Sequence, residues 1–175
     1  MDPLNIKDRR GEPFIVRQAT PDDTESILVQ MDIVGREQTY MLHDTVTRSV
    51  EDQKQTIRHM GKNYLLLVAE VPAVGVVGSL EIVRGTFRKS QFTATFGMAL
   101  LPAWRGRGIG QPLVERAEHW ARIQGIRKIS IAVLAINDTA LRFYQRLGYT
   151  EEARLPRQYW LDNEPIDEIW LRKFL

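Results

Sequence analysis

The sequence contains no cysteine, which excludes a disulfide framework, a thiolate nucleophile and any cysteine-ligated zinc or iron–sulfur centre. Long apolar runs are missing as well. Clean runs such as Tyr64 to Ala69 fall far short of the roughly 20 residues that span a bilayer. The opening residues, Met1-Asp2-Pro3-Leu4-Asn5-Ile6-Lys7-Asp8-Arg9-Arg10, hold no signal-peptide stretch. A cytoplasmic protein with no membrane partner is therefore expected. Charge of one sign is also scarce. Lys plus Arg number 24 against 22 for Asp plus Glu, a net of +2, so no global field draws the chain onto nucleic acid. The histidines His43, His59 and His119 lack metal-ligand spacing, and no metal is assigned.

What is present suits one globular domain. Its 175 residues, 43% hydrophobic and 26% charged, are enough to bury a real core. Residues 1–12 are polar and read as a flexible arm, and residues 13–175 as the domain. A strand at 14–19 precedes Thr20-Pro21-Asp22-Asp23, a helix start with Thr20 as cap. Ile27, Leu28, Met31 and Val34 give that helix one apolar face. A more polar helix is expected over 50–60. Strands at 64–70, 74–83 and 92–101 form a meander. A helix at 111–124, a strand at 129–134, a helix at 138–147 and strands at 149–154 and 166–172 complete the chain. The strand–helix–strand unit over 92–134 needs a crossover. The predicted fold is therefore α/β, with a mixed, mostly antiparallel sheet.

The most informative stretch is Leu100-Leu101-Pro102-Ala103-Trp104-Arg105-Gly106-Arg107-Gly108-Ile109-Gly110, between a strand and a helix. Alternating glycines let backbone amides approach a ligand closely. The helix that follows adds the positive end of its dipole, making an anion site. Arg105 and Arg107 add charge suited to phosphate oxygens. No Asp or Glu occurs from Ile82 to Val114, where Arg84, Arg88, Lys89, Arg105 and Arg107 all fall. The dinucleotide fingerprint fails because residue 111 is Gln, and no P-loop motif exists.

Arg105-Gly106-Arg107-Gly108-Ile109-Gly110 resembles the R/Q-x-x-G-x-G/A signature of the GNAT superfamily of acetyl-CoA-dependent N-acetyltransferases. The resemblance implies that these loop residues bind the coenzyme A pyrophosphate. It also implies that Met98, Ala99 and Leu100, at the splayed end of the preceding strand, meet the pantetheine arm. A second segment, from Asn137 through Ala140 and Tyr144 to Gly148-Tyr149, is similar to the superfamily's N-x-x-A-x-x-x-Y-x-x-x-G-[FY] pattern. By spacing alone Asn137 is a helix cap and Tyr144 an ordinary buried aromatic. The resemblance makes Asn137 a coenzyme contact and Tyr144 the general acid for the departing thiolate. The ending, Tyr159-Trp160-Leu161-Asp162 through Leu171, resembles the closing hairpin of ribosomal-protein, polyamine and antibiotic acetyltransferases.

The fold implied is a single GNAT domain with a splayed central parallel pair and helices on both faces. Acetyl-CoA is the implied cosubstrate, a small-molecule or peptide amine the acceptor, and a homodimer is common in the family. Relatives often carry a carboxylate base on the strand before the loop, where this chain has Thr95. Glu81 is the nearest carboxylate in sequence and reads either as base or as a solvent-facing strand residue. Glu37 and Tyr40 fall where relatives build the acceptor pocket, and read otherwise as a solvated helix end and a packing aromatic. The expected function is acetyl transfer to a primary amine by direct attack in a ternary complex. The alternative is a non-catalytic acyl-CoA sensor on the same fold.

Overall fold

The computed structural model describes residues 1–39 and 45–175. Along the chain run β1 (Leu4–Lys7), β2 (Pro13–Gln18), α1 (Thr24–Gly35), α2 (Val50–Arg58), β3 (Tyr64–Val71) and β4 (Gly75–Arg84). They are followed by β5 (Thr93–Leu100), α3 (Gly110–Ile123), β6 (Lys128–Leu134), α4 (Asp138–Arg146), β7 (Thr150–Leu161) and β8 (Glu164–Phe174). The strands form one sheet in the order β1-β2-β3-β4-β5-β6-β8-β7. Every neighbouring pair is antiparallel except β5–β6, which the α3 crossover makes parallel.

Strand alternation divides the core in two. Leu65, Leu67, Leu80, Ile82 and Phe96 face α3, whose Leu113, Val114, Ala117 and Ala121 are buried against them together with Tyr144 of α4. On the other face Leu66, Val68 and Val76 pack with Ile27 of α1 and Ile57 of α2. Helices thus cover both faces, as the α/β reading requires.

The first helix starts as its sequence promises, with one refinement. Thr20 opens a 3-10 turn over Pro21–Asp23, and α1 follows from Thr24. The Thr20 amide donates to Asp23 (2.7 Å), whose carboxylate also takes both terminal nitrogens of Arg17 at 2.7 Å. Burial opposes ionisation of Asp23, but Arg17 and the Thr20 amide overcome it and hold its carboxyl below the usual range. A depressed folded-state pKa contributes stability above the unfolded value near 4, and that contribution is lost as pH falls through the folded value. Asp23→Asn is therefore expected to cost about 2 kcal/mol at pH 7. It should also shrink the fall in urea midpoint between pH 7 and pH 3 relative to wild type.

Two expectations need correction. Residues 1–12 are not a loose arm, because Leu4 to Lys7 pair with β2 in register from Leu4–Val16 to Lys7–Pro13. The last hairpin is longer than expected. Strand β7 runs to Leu161 across two irregularities and turns into β8 through Asp162 and Asn163, both at positive φ.

Candidate functional site

The parallel pair opens almost as soon as it forms. Strand β5 bonds to β6 only from Thr93–Lys128 to Thr95–Ser130. Beyond that, β5 stays on β4 through Leu100, while β6 follows β8 through Leu134. Two strand edges are thereby left facing each other across a wedge. A cleft of about 400 Å³ occupies it, with Met98, Ala99 and Leu100 on one side and Asn137, Tyr144 and Leu147 on the other.

The phosphate-type loop closes the cleft's end. Gly106 and Gly108 stand at φ +71° and +89°, a region that L side chains enter only at a cost. A Cβ on Gly110 would approach Met98 and Phe143 to 3.2 Å. Among the described residues, the backbone amides of Gly106, Arg107, Gly108 and Ile109 donate to no protein acceptor. Four open amides at the N-terminus of α3 form a cradle for an anion. That donor set fits a diphosphate without further assumption.

Side-chain charge is arranged differently from expectation. Arg107 is buried and does not line the cleft. Its guanidinium lies 4.0 Å from the centre of the Trp104 ring, with Asp8 and Glu12 each 2.5 Å away. Arg105 does line the cleft, but Glu37 at the end of α1 takes it in a two-pronged pair, one arm at 2.9 Å. The Arg105 Nε also donates to the Leu100 carbonyl (3.0 Å), pinning the end of β5. Glu37 is thus committed to the loop and is no free acceptor carboxylate. The guanidinium groups along the cleft that sequence reasoning missed are Arg9 and Arg146. The turn around Asp8 was the signal for Arg9, and its polar composition concealed it.

Asn137 caps α4, its side-chain oxygen accepting from the Ala140 amide at 3.0 Å, and it also lines the cleft. Tyr144, buried, reaches the cleft from the last turn of α4. Phe96, Phe143 and Tyr149 meet its ring edge-on at centroid distances of 5.6, 5.0 and 5.8 Å. Desolvation alone pushes its phenol up from the ordinary value. Among the described residues its hydroxyl has no hydrogen-bond partner.

Glu81 does not line the cleft. It pairs with Leu66 and Gly97 across the sheet, on the face covered by α1 and α2. The Tyr64 hydroxyl donates to it at 3.3 Å. Burial, followed by the Glu81 charge, pushes the Tyr64 phenol up, so it remains a donor. On the same face Thr95 and Gly97 of β5 are exposed, and nothing lies within 4 Å of a Cβ placed on Gly97. An open patch therefore lies beside Glu81 at the mouth of the wedge. Tyr40 lies outside the described residues. No group of three His, Cys, Asp or Glu fit to hold a metal occurs among the described residues, and no helix among them is long and apolar enough to cross a membrane.

Residues 32–149, about two thirds of the chain, match the family described as Acetyltransferase (GNAT) family. Mycothiol acetyltransferase of Corynebacterium glutamicum (strain R) is 43% identical over 53 residues, 30% of this chain but 18% of that protein's length. The acetyltransferase of GNAT family from Streptococcus pneumoniae superposes with a TM-score of 0.86 at 20% identity, covering 93% of this chain and 99% of that one. A phosphinothricin acetyltransferase from Sinorhizobium meliloti, solved in complex with AcCoA, superposes with a TM-score of 0.82 at 18% identity, over 91% of this chain and 87% of that one.

Proposed function

Because the chain belongs to the acetyltransferase (GNAT) family, we propose that it moves the acetyl group of acetyl-CoA to a primary amine of a small molecule or a protein N-terminus. The amine attacks directly in a ternary complex. The observation that carries this reading is the wedge between β5 and β6, closed by four open amides. A thioester supplies an activated acyl group with a thiolate as leaving group. The amides of Gly106 to Ile109 and the N-terminus of α3 hold the coenzyme's pyrophosphate. The free edge of β5 at Met98, Ala99 and Leu100 aligns the pantetheine arm, as a strand edge pairs with any extended amide chain.

The chain's own groups then manage two protons. Tyr144 holds a proton at its hydroxyl and gives it to the sulfur. Glu81, steadied by Tyr64, accepts the proton of the attacking amine directly or through water. With no cysteine in the sequence, an acyl-thiol enzyme plays no part. Binding and alignment do most of the work, as expected when two substrates react without a covalent intermediate.

One observation favours the sensor reading. The exposed face of β5 carries Thr95 and no carboxylate, and Glu37 is held by Arg105. Thiol release from acetyl-CoA, followed with a panel of amino acids, polyamines, aminoglycosides and N-terminal peptides, separates the two. Amine-dependent release above background hydrolysis is expected with at least one class. Calorimetric binding of acetyl-CoA with no turnover on any of them would overturn the enzyme in favour of the sensor.

A further inference from the structure

We propose that Arg9, carried on the turn between β1 and β2, is a ligand of the coenzyme's pyrophosphate and supplies the cation that Arg107 does not. The inference rests on the coenzyme reading above and extends it to a segment outside the loop. Arg107, the loop's inner arginine, is turned away onto Asp8, Glu12 and Trp104. A guanidinium engaged by two carboxylates has little left to offer a phosphate.

The same bonds fasten the turn that carries Arg9. Asp8 is buried, and its second oxygen accepts the amides of Arg10 (2.8 Å) and Glu12 (2.9 Å). The Arg9 amide in turn donates to the Arg107 carbonyl at 2.9 Å. Arg9 is thereby bonded through its backbone to the phosphate-type loop. Its side chain crosses Gly108, with Cγ 3.3 Å and Nε 3.5 Å from the point a Cβ would occupy there.

Arg9 lines the cleft with Gly106, Gly108 and Gly110, and Arg10 does not. Among the described residues its guanidinium has no carboxylate partner. A diphosphate carries two full charges, which backbone dipoles offset only in part. A fork of N–H donors beside them, held on a turn that is ordered beforehand, completes the site at little entropic cost. Arg107 thus acts as the post to which the turn is tied, and Arg9 as the contact.

The test is calorimetric titration of wild type, Arg9→Ala, Arg9→Lys and Arg10→Ala with acetyl-CoA and with its 3′-dephospho form, which keeps the pyrophosphate. Arg9→Ala is expected to raise the dissociation constant about tenfold for both ligands. Arg9→Lys should recover part of the loss, and Arg10→Ala, which removes the same charge one residue away, should bind as wild type. Arg9 is exposed, so unchanged melting temperatures are expected throughout. Equal affinity of wild type and Arg9→Ala would overturn the proposal. So would an equal loss in Arg10→Ala, which would mark a diffuse charge effect, or a loss seen only when the 3′-phosphate is present. Should wild type itself fail to bind acetyl-CoA, the coenzyme reading falls and this inference with it.

Discussion

Gly108→Asp is expected to weaken acetyl-CoA binding by at least about 100-fold. Two costs add. The first is conformational. Gly108 sits at φ +89°, where a residue with a Cβ is strained by about 1–2 kcal/mol. Its Cβ would also approach the flexible Arg9 side chain at 3.3 Å, which can yield. The second is electrostatic and larger. A carboxylate among the open amides of Gly106 to Ile109 would accept their hydrogen bonds itself and repel the phosphates. Two like charges 4 Å apart near a protein surface cost about 4 kcal/mol. Gly108→Ala separates the terms, since it keeps the strain and lacks the charge, and about a tenfold loss is expected. Calorimetry on both variants checks this. Wild-type affinity in Gly108→Asp would mean that the anion is held elsewhere.

The charge picture around this loop shows where the sequence could be read and where it could not. The acid-free span over 82–114 is real in sequence but not in space. Glu37 reaches Arg105 across 68 positions, and Asp8 reaches Arg107 across 99. No local pattern announces pairs of that range, so both arginines read as free phosphate ligands when one is buried and the other shared. Elements with strong local signals behaved otherwise. The alternating glycines, the Asn137 cap and the apolar period of α3 each depend on neighbours within a few residues, and all three appear in the structure.

Strand β1 was missed because Leu4 and Ile6 are too few to mark alternation, and it exists by pairing with an edge already formed. The end of β7 was missed for a related reason. Its residues are mostly exposed, so no apolar face is needed to hold a strand that β8 templates. The fold class and the position of the wedge were therefore legible, while the source of the positive charge within it required tertiary structure. Side-chain destination was the part hidden from view.

Tyr144→Phe is expected to lower kcat by about 100-fold while leaving the dissociation constant for acetyl-CoA almost unchanged. The asymmetry follows from the surroundings of the ring. Phe96, Phe143 and Tyr149 pack against it edge-on, and a phenylalanine keeps every one of those contacts. The hydroxyl has no protein partner among the described residues, so removing it strands no donor and should not lower the melting temperature. On the proposed mechanism, what is lost is one proton at the wall of the cleft, used only when the C–S bond breaks. An interaction made only in the transition state appears in kcat, not in ground-state binding. The pH dependence has a definite sign. Desolvation raises the phenol above its ordinary value near 10, so the neutral, proton-donating form persists throughout the neutral range and beyond. Tyr144 therefore adds no alkaline loss of rate below pH 10, and any fall there must come from another group. Steady-state rates across pH 6 to 10, measured with calorimetric affinities for both proteins, check each part. Equal kcat values for wild type and Tyr144→Phe would assign protonation of the sulfur to water and leave Tyr144 a packing residue.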